Sequence, residues 1–203
     1  MTSRYAQLAF TEKVKHHQQK HGSDRAYRRI AEGAADPDPI GPDERLFISL
    51  RDSFYIATVS ETGWPYIQHR GGPPGFLRVL DAHTLGFADF RGNRQYITRG
   101  NLDHNDRVSL FLMDYVHQVR MKIFGRARIV EVGDDPELVA KLAVEGYRAK
   151  VERAVLIDVE AFDWNCHQHI PQLLPRDEVE DVVRALQDRI ATLESAAVDT
   201  VRG

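Results

Sequence analysis

Between Trp64 and Asn101, Arg70, Arg78, Arg91 and Arg94 stand among apolar runs with no matching acidic block. An arginine side chain presents a planar fork of N–H donors that matches phosphate oxygens. Arg91 and Arg94 flank Gly92-Asn93 at an expected strand-to-helix junction, where unpaired backbone N–H groups add to the pull on an anion. The chemistry offered is anion recognition, with a phosphate the first case to consider; hairpins with solvated arginines are the other reading. His17 and His21, at i and i+4, could share a helix face as metal ligands, but no third ligand stands near them. Cys166, His167 and His169 also invite a metal. In an extended chain, however, alternation sends His167 away from the other two, so no metal is expected.

The elements that must hold these residues are strands. FYIATVS (54–60) is β-branched and aromatic, and Glu61-Thr62-Gly63 turns it into WPYIQHR, with Pro65 at a strand start or an edge. A GGPP turn leads to GFLRVLD, and the alternation from Thr84 to Phe90 gives the next strand. NRQYITRGNL (93–102) reads as a short helix ending at Gly100-Asn101. RVSLFLMDY (107–115) is a near-continuous apolar run, expected to be buried on both faces. VRMKIFGRARIVEV (119–132) alternates over an unusual length, with Gly125 where a bulge or bend would let a sheet curl. Asp135-Pro136 starts a helix, and AVLIDVEAFDWN (154–165) is the last strand. About seven strands at hairpin spacing, without βα alternation, describe a small, partly closed antiparallel barrel.

Helices surround it. The first forty residues are polar and helical in pattern, with Gly22-Ser23 as a stop and a new N-cap, then a breaker-rich ADPDPIGP (35–42). Asp43 is placed to cap a short helix running through Leu50. Val179, Val183, Leu186, Ile190 and Leu193 follow a 4-3-4-3 spacing that gives the C-terminal helix a narrow apolar seam. The expected division is a helical extension over 1–42, a barrel over 43–174 and the amphipathic helix over 175–203.

With 203 residues, 42% hydrophobic and 28% charged, the composition is that of a globular chain. A net charge of −3 argues against nucleic acid, whose phosphate backbone demands a basic face. No apolar run reaches the ~18 residues a membrane span needs. The N-terminus lacks the basic-then-apolar order of a signal peptide, and the single Cys166 fits a reducing compartment. A cytoplasmic location is expected.

The order FYIATVSETGWPYIQHRGGPPGF, LGFADFRGNRQYITRGNL, DRVSLFLMDY and VRMKIFGRARIVE resembles the FMN-binding split-barrel proteins related to pyridoxamine 5′-phosphate oxidase. It is most similar to the subgroup described as predicted flavin-nucleotide-binding proteins. The resemblance covers roughly residues 43–170, and WNC-x-QHIP (164–171) belongs to it. It implies a mainly β fold, a six- to seven-stranded antiparallel split barrel with peripheral helices, and a homodimer with FMN at its interface. By position it implies that Gln68, His69, Arg70 and Gly71 line the flavin ring through backbone and side chain and that Asp89 and Phe90 end the next strand beside it. Asn93 and Arg94 stand where the oxidase has its Arg-Lys phosphate pair, which leaves Arg91 or Arg99 as a second cation. Arg120 falls where a glutamine reaches the flavin, and Asn165, Gln168 and His169 fall near the neighbouring subunit's pocket. Arg70 or Arg120 would stabilise negative charge on reduced flavin.

The oxidase's ending, rich in Trp and Arg, is replaced by Gln172-Leu173-Leu174-Pro175, so the oxidase's own substrate is not expected. The implied activity is an FMN-dependent oxidoreductase acting on a small organic molecule, with a nicotinamide or oxygen as electron partner and His69 as the candidate acid–base group. The alternative is a carrier or sensor of flavin, haem or deazaflavin.

Overall fold

The computed structural model describes residues 3–33, 36–164 and 168–202, with side chains through 194 in the last helix. The elements run α1 (Arg4–Ala9), α2 (Glu12–Lys20), α3 (Asp24–Ala31), α4 (Pro42–Ser49), β1 (Ser53–Val59), β2 (Pro65–Gly71), β3 (Arg78–Val79), β4 (Thr84–Phe90), α5 (Ile97–His104), β5 (Arg107–Asp114), β6 (Val119–Glu131), α6 (Pro136–Leu142), β7 (Val151–Trp164) and α7 (Arg176–Arg202). The strands form one seven-stranded sheet in the order β2-β1-β5-β6-β7-β4-β3. The β1·β2, β1·β5, β3·β4, β4·β7 and β6·β7 pairings are all antiparallel. This is the mainly β, split-barrel architecture with peripheral helices.

Strand alternation decides what the sheet encloses. Phe54, Ile56 and Thr58 of β1 and Val108, Leu110 and Leu112 of β5 are buried, while their in-between neighbours are more accessible. The 107–115 run is therefore not buried on both faces: Arg107, Ser109, Phe111 and Met113 take the outer side. An aromatic cluster fills the centre, with Phe54 5.6 Å from Phe76 and 5.3 Å from Phe87 between ring centroids. Each such fully buried ring contributes about 2–3 kcal/mol.

Gly125 behaves as expected. The β6·β7 register shifts between Phe124 and Gly125, and a Cβ at 125 would lie 2.7 Å from Ile157 Cγ2 and 2.8 Å from Asp158 O. Only glycine lets the two backbones approach so closely there. Asp135 caps α6 by accepting the Leu138 N–H at 2.9 Å.

Two helix starts differ from the sequence expectation. α4 begins at Pro42, one residue before Asp43, and the Gly41 N–H donates to Glu44 Oε2 at 3.0 Å. Proline suits the first helical turn, where its missing N–H costs nothing. α5 begins at Ile97 rather than 93 and continues past Gly100 to His104. Arg94 and Tyr96 both sit at positive φ, 60° and 55°, so the chain between them cannot be helical.

The chain divides into two compact units, Met1–Met113 with Arg120–Cys166, and Asp114–Val119 with His167–Gly203. In the second, the β5–β6 turn is tied to the segment after residue 168. Gln118 Nε2 donates to Ile170 O at 2.5 Å, Gln172 Nε2 to Val116 O at 3.1 Å, and Leu173 N to Tyr115 O at 3.3 Å. The α7 seam residues Val179, Val183, Leu186, Ile190 and Leu193 are exposed. Among the described residues no helix is long and apolar enough to cross a membrane.

Candidate functional site

Because β1 and β2 pair Ile56 with Gln68 and Phe54 with Arg70, Tyr66, Gln68 and Arg70 share the face of the sheet that carries the core. At this edge that face opens into a pocket of about 200 Å3. The end of β4 supplies Asp89 and Phe90, the following loop supplies Gly92 to Tyr96, α5 supplies Ile97, Thr98 and Arg99, and β7 supplies Glu152 and Arg153. All of these residues lie in the first unit.

α5 is seated by two polar contacts. Asn101 Nδ2 donates to Thr58 Oγ1 at 2.8 Å, both residues buried, and Thr98 Oγ1 donates to Gln68 Oε1 at 2.6 Å. Its N-cap, Tyr96, makes no side-chain capping bond. The first turn of α5, whose Ile97, Thr98 and Arg99 line the pocket, carries the partial positive charge of a helix N-terminus.

Four guanidiniums, of Arg70, Arg94, Arg99 and Arg153, line the pocket against two carboxylates, of Asp89 and Glu152. Asp89 takes Arg70 Nη1 on one oxygen at 2.6 Å and Arg153 Nη1 on the other at 3.1 Å. All three side chains are at most 16% exposed. Burial alone would lower the pKa of Arg153, but Asp89, Glu131 and Glu152 outweigh it and hold the guanidinium above its ordinary range. Arg153 also lies 5.3 Å over the Tyr96 ring. Arg94 Nε donates to the Tyr96 hydroxyl at 2.9 Å, and this bond is the main cause raising its pKa. Arg99 is paired with Asp103 and lies 3.6 Å from Glu131 at the pocket's side. Arg70 Nε is buried without a hydrogen-bond partner. A buried N–H of this kind, in a pocket lined by four guanidiniums and two carboxylates, suits an anionic ligand.

Six of the residues expected from the sequence thus meet in one pocket: Gln68, Arg70, Asp89, Phe90, Asn93 and Arg94. Arg99 joins them, while Arg91 stands beside the pocket with its Nε 3.3 Å from Glu152. His69 does not join them. It pairs with Tyr55, so its ring lies on the opposite face of β2, 5.5 Å from the Tyr55 ring. Gly71 ends β2 outside the lining, and Arg78 donates to Ala143 O at 3.1 Å. Arg120 is on β6, away from the lining, with its Nε buried and without a hydrogen-bond partner. Gln168 and His169 belong to the second unit and are exposed, His169 at φ 64°. Asn165, like Cys166 and His167, falls outside the described residues.

Sequence reasoning missed Tyr66, Tyr96, Thr98, Glu152 and Arg153. Alternation along β2 gives Tyr66 once Gln68 is placed. Glu152 and Arg153 lie far away in the chain and carry no local signal.

The family model described as pyridoxamine 5′-phosphate oxidase matches residues 41–169. The chain is similar to HupZ of Group A Streptococcus, with 22% identity over 66% of this chain and 99% of that one and a TM-score of 0.51. It is also similar to an FMN-binding protein from Syntrophomonas wolfei subsp. wolfei, with 12% identity, 64% and 84% covered and a TM-score of 0.46. A third, an F420 reductase, shows 20% identity, 61% and 98% covered and a TM-score of 0.42. No curated protein matches the chain. With well over half its length matched by one family model, the chain belongs to the pyridoxamine 5′-phosphate oxidase family.

Proposed function

We propose that the protein binds FMN without a covalent bond and serves as an oxidoreductase for a small organic substrate, with a nicotinamide or oxygen as electron partner. The observation that carries this reading is the pocket's surplus of guanidiniums beside the uncapped α5. The residues fit a phosphate monoester: Arg94, Arg99 and Asn93 with the first α5 amides are its holders, and Thr98 is fixed next to them by Gln68. Arg70, with an orphaned Nε, and Gln68 are the groups assigned to the flavin's polar edge. FMN, when bound, supplies the hydride and electron transfer through its ring system. The chain supplies binding, orientation and a positive field. A homodimer is part of this proposal, and Arg120 would reach the ring from a second copy, since within one chain it stands apart from the pocket.

A carrier or sensor is the second reading, and one observation favours it. The two carboxylates in the pocket are committed to ion pairs, and His69 faces the other way. Proton transfer by a side chain is thus poorly provided for, which a carrier would not need.

The visible spectrum of the purified protein, followed by titration with FMN and with riboflavin, tests the proposal. Expected is a flavin spectrum, or saturable FMN binding stronger than that of riboflavin. A Soret band, or no chromophore and no FMN binding, overturns it. Bound FMN that no nicotinamide reduces and oxygen does not turn over favours the carrier.

A further inference from the structure

Glu152 owes its position to an irregularity in β7. Along the β4·β7 ladder Asp89 pairs with Arg153, but the next residue, Phe90, pairs with Val151. Glu152 is the extra residue of a bulge. In a regular strand Glu152 and Arg153 would point to opposite faces; the bulge re-aims one of them, and both line the pocket. Bulges of this kind recur next to binding sites.

The side chain is 15% exposed and stands among three guanidiniums. Arg91 Nε is 3.3 Å from Oε1, Arg94 Nε is 4.0 Å from Oε1, and Arg153 Nη2 is 3.6 Å from Oε2. Arg91 and Arg94 are otherwise well exposed. A single carboxylate therefore occupies the centre of the charge that an incoming anion would use. Asp89 differs: its two partners, Arg70 and Arg153, lie deeper and are nearly buried, so it is a fixed part of the frame.

We infer that Glu152 is a built-in competitor for the pocket's anion. It gathers Arg91 and Arg94 when the pocket is empty, and it must yield them to a phosphate when one enters. Its charge thereby sets how tightly the pocket holds phosphate, and favours a doubly charged phosphate monoester over singly charged anions, which compete less well with a carboxylate. The inference rests on reading this pocket as the phosphate site.

The test uses the full chain as wild type, Glu152→Gln and Glu152→Asp, each titrated with FMN, riboflavin and inorganic phosphate. With the repelling charge gone, Glu152→Gln is expected to bind FMN and phosphate about 10-fold more tightly, as removal of a like-charge juxtaposition allows. Riboflavin affinity stays unchanged. Glu152→Asp, with its charge drawn back by one methylene, falls between, and it decides the matter if the glutamine variant folds poorly. Phosphate and FMN affinities equal to or below wild type in both variants overturn the inference. If phosphate binding tightens while FMN binds no better than riboflavin, Glu152 is correctly assigned and the flavin reading fails. If wild type prefers FMN to riboflavin and neither variant tightens it, the reverse holds.

Discussion

The pocket on the inner face of β2 and a groove along β1 and β5, which meets β2 only at Pro65, both draw on the β1–β2 hairpin but treat charge differently. The groove, about 520 Å3, is floored by Leu8, Ala57, Val59, Pro65, Val108 and Phe124. Its ion pairs lie at the rim: Glu160 meets Arg4 at 3.4 Å and Arg126 at 3.1 Å, and Arg126 also meets Asp106 at 2.9 Å. The pocket is smaller, about 200 Å3, yet it holds Arg70, Asp89 and Arg153 nearly out of water. The groove's pairs are partly exposed, though Arg4 Nε is itself buried without a hydrogen-bond partner. Such pairs cost less to keep than the nearly buried ones, which must overcome a desolvation penalty of several kcal/mol per ion. A fold that sustains that cost where β2 meets β4 and β7, from opposite ends of the strand order, marks the place where charge has a use. Size alone would have pointed to the groove.

The sharpest way to break this comparison is to remove one acid from each side. Asp89→Ala leaves two buried guanidiniums without their shared partner and is expected to lose about 3–5 kcal/mol in urea denaturation. Glu160→Ala, acting on partly exposed arginines, is expected to shift the midpoint far less. Equal losses would show that the two networks are alike, and that burial does not single out the pocket.

The next effect is on binding. Arg94 is largely exposed and its ion pair to Glu152 is long, so Arg94→Ala is expected to leave the unfolding midpoint in place. FMN affinity should fall roughly 10-fold, the order expected for one charge-assisted hydrogen bond, with riboflavin affinity unchanged. If FMN and riboflavin fall together, Arg94 is not a phosphate ligand.

Much of the barrel was legible because period-2 alternation survives in β1, β2 and β6, and because Gly125 announces a bend that only glycine allows; β4 is buried through its centre and does not alternate. The inner lining of β2 followed from the same rule: Gln68 and Arg70 are two apart, so they must share a face. That rule also puts the His69 side chain on the other face, beside Tyr55. The start of α5 was hidden by Arg94 and Tyr96, which adopt a left-handed backbone that glycine or asparagine would have signalled. Glu152 was hidden for another reason. A bulge shifts facing by one residue, and where the bulge falls depends on the partner strand, so no local pattern in 151–153 records it.

The smallest effect tests the groove's edge. Asp38 N–H donates to Glu160 O at 3.2 Å, and the Asp38 carboxylate accepts the Phe162 N–H at 3.1 Å. Burial raises its pKa above the ordinary 3.8, and the Phe162 N–H and the Arg4 charge only partly offset this. A carboxyl with a raised folded-state pKa favours folding while protonated, below the ordinary value, and loses that contribution as pH rises through the raised one. Above that point Asp38 is charged at a cost. Asp38→Asn keeps an oxygen for the Phe162 N–H and removes the charge. It is therefore expected to raise the thermal midpoint slightly at pH 7 and to match wild type at pH 3. A lower midpoint at pH 7 would mean that Arg4 holds Asp38 as a true ion pair, and the groove's edge would then resemble the pocket more closely than its exposure indicates.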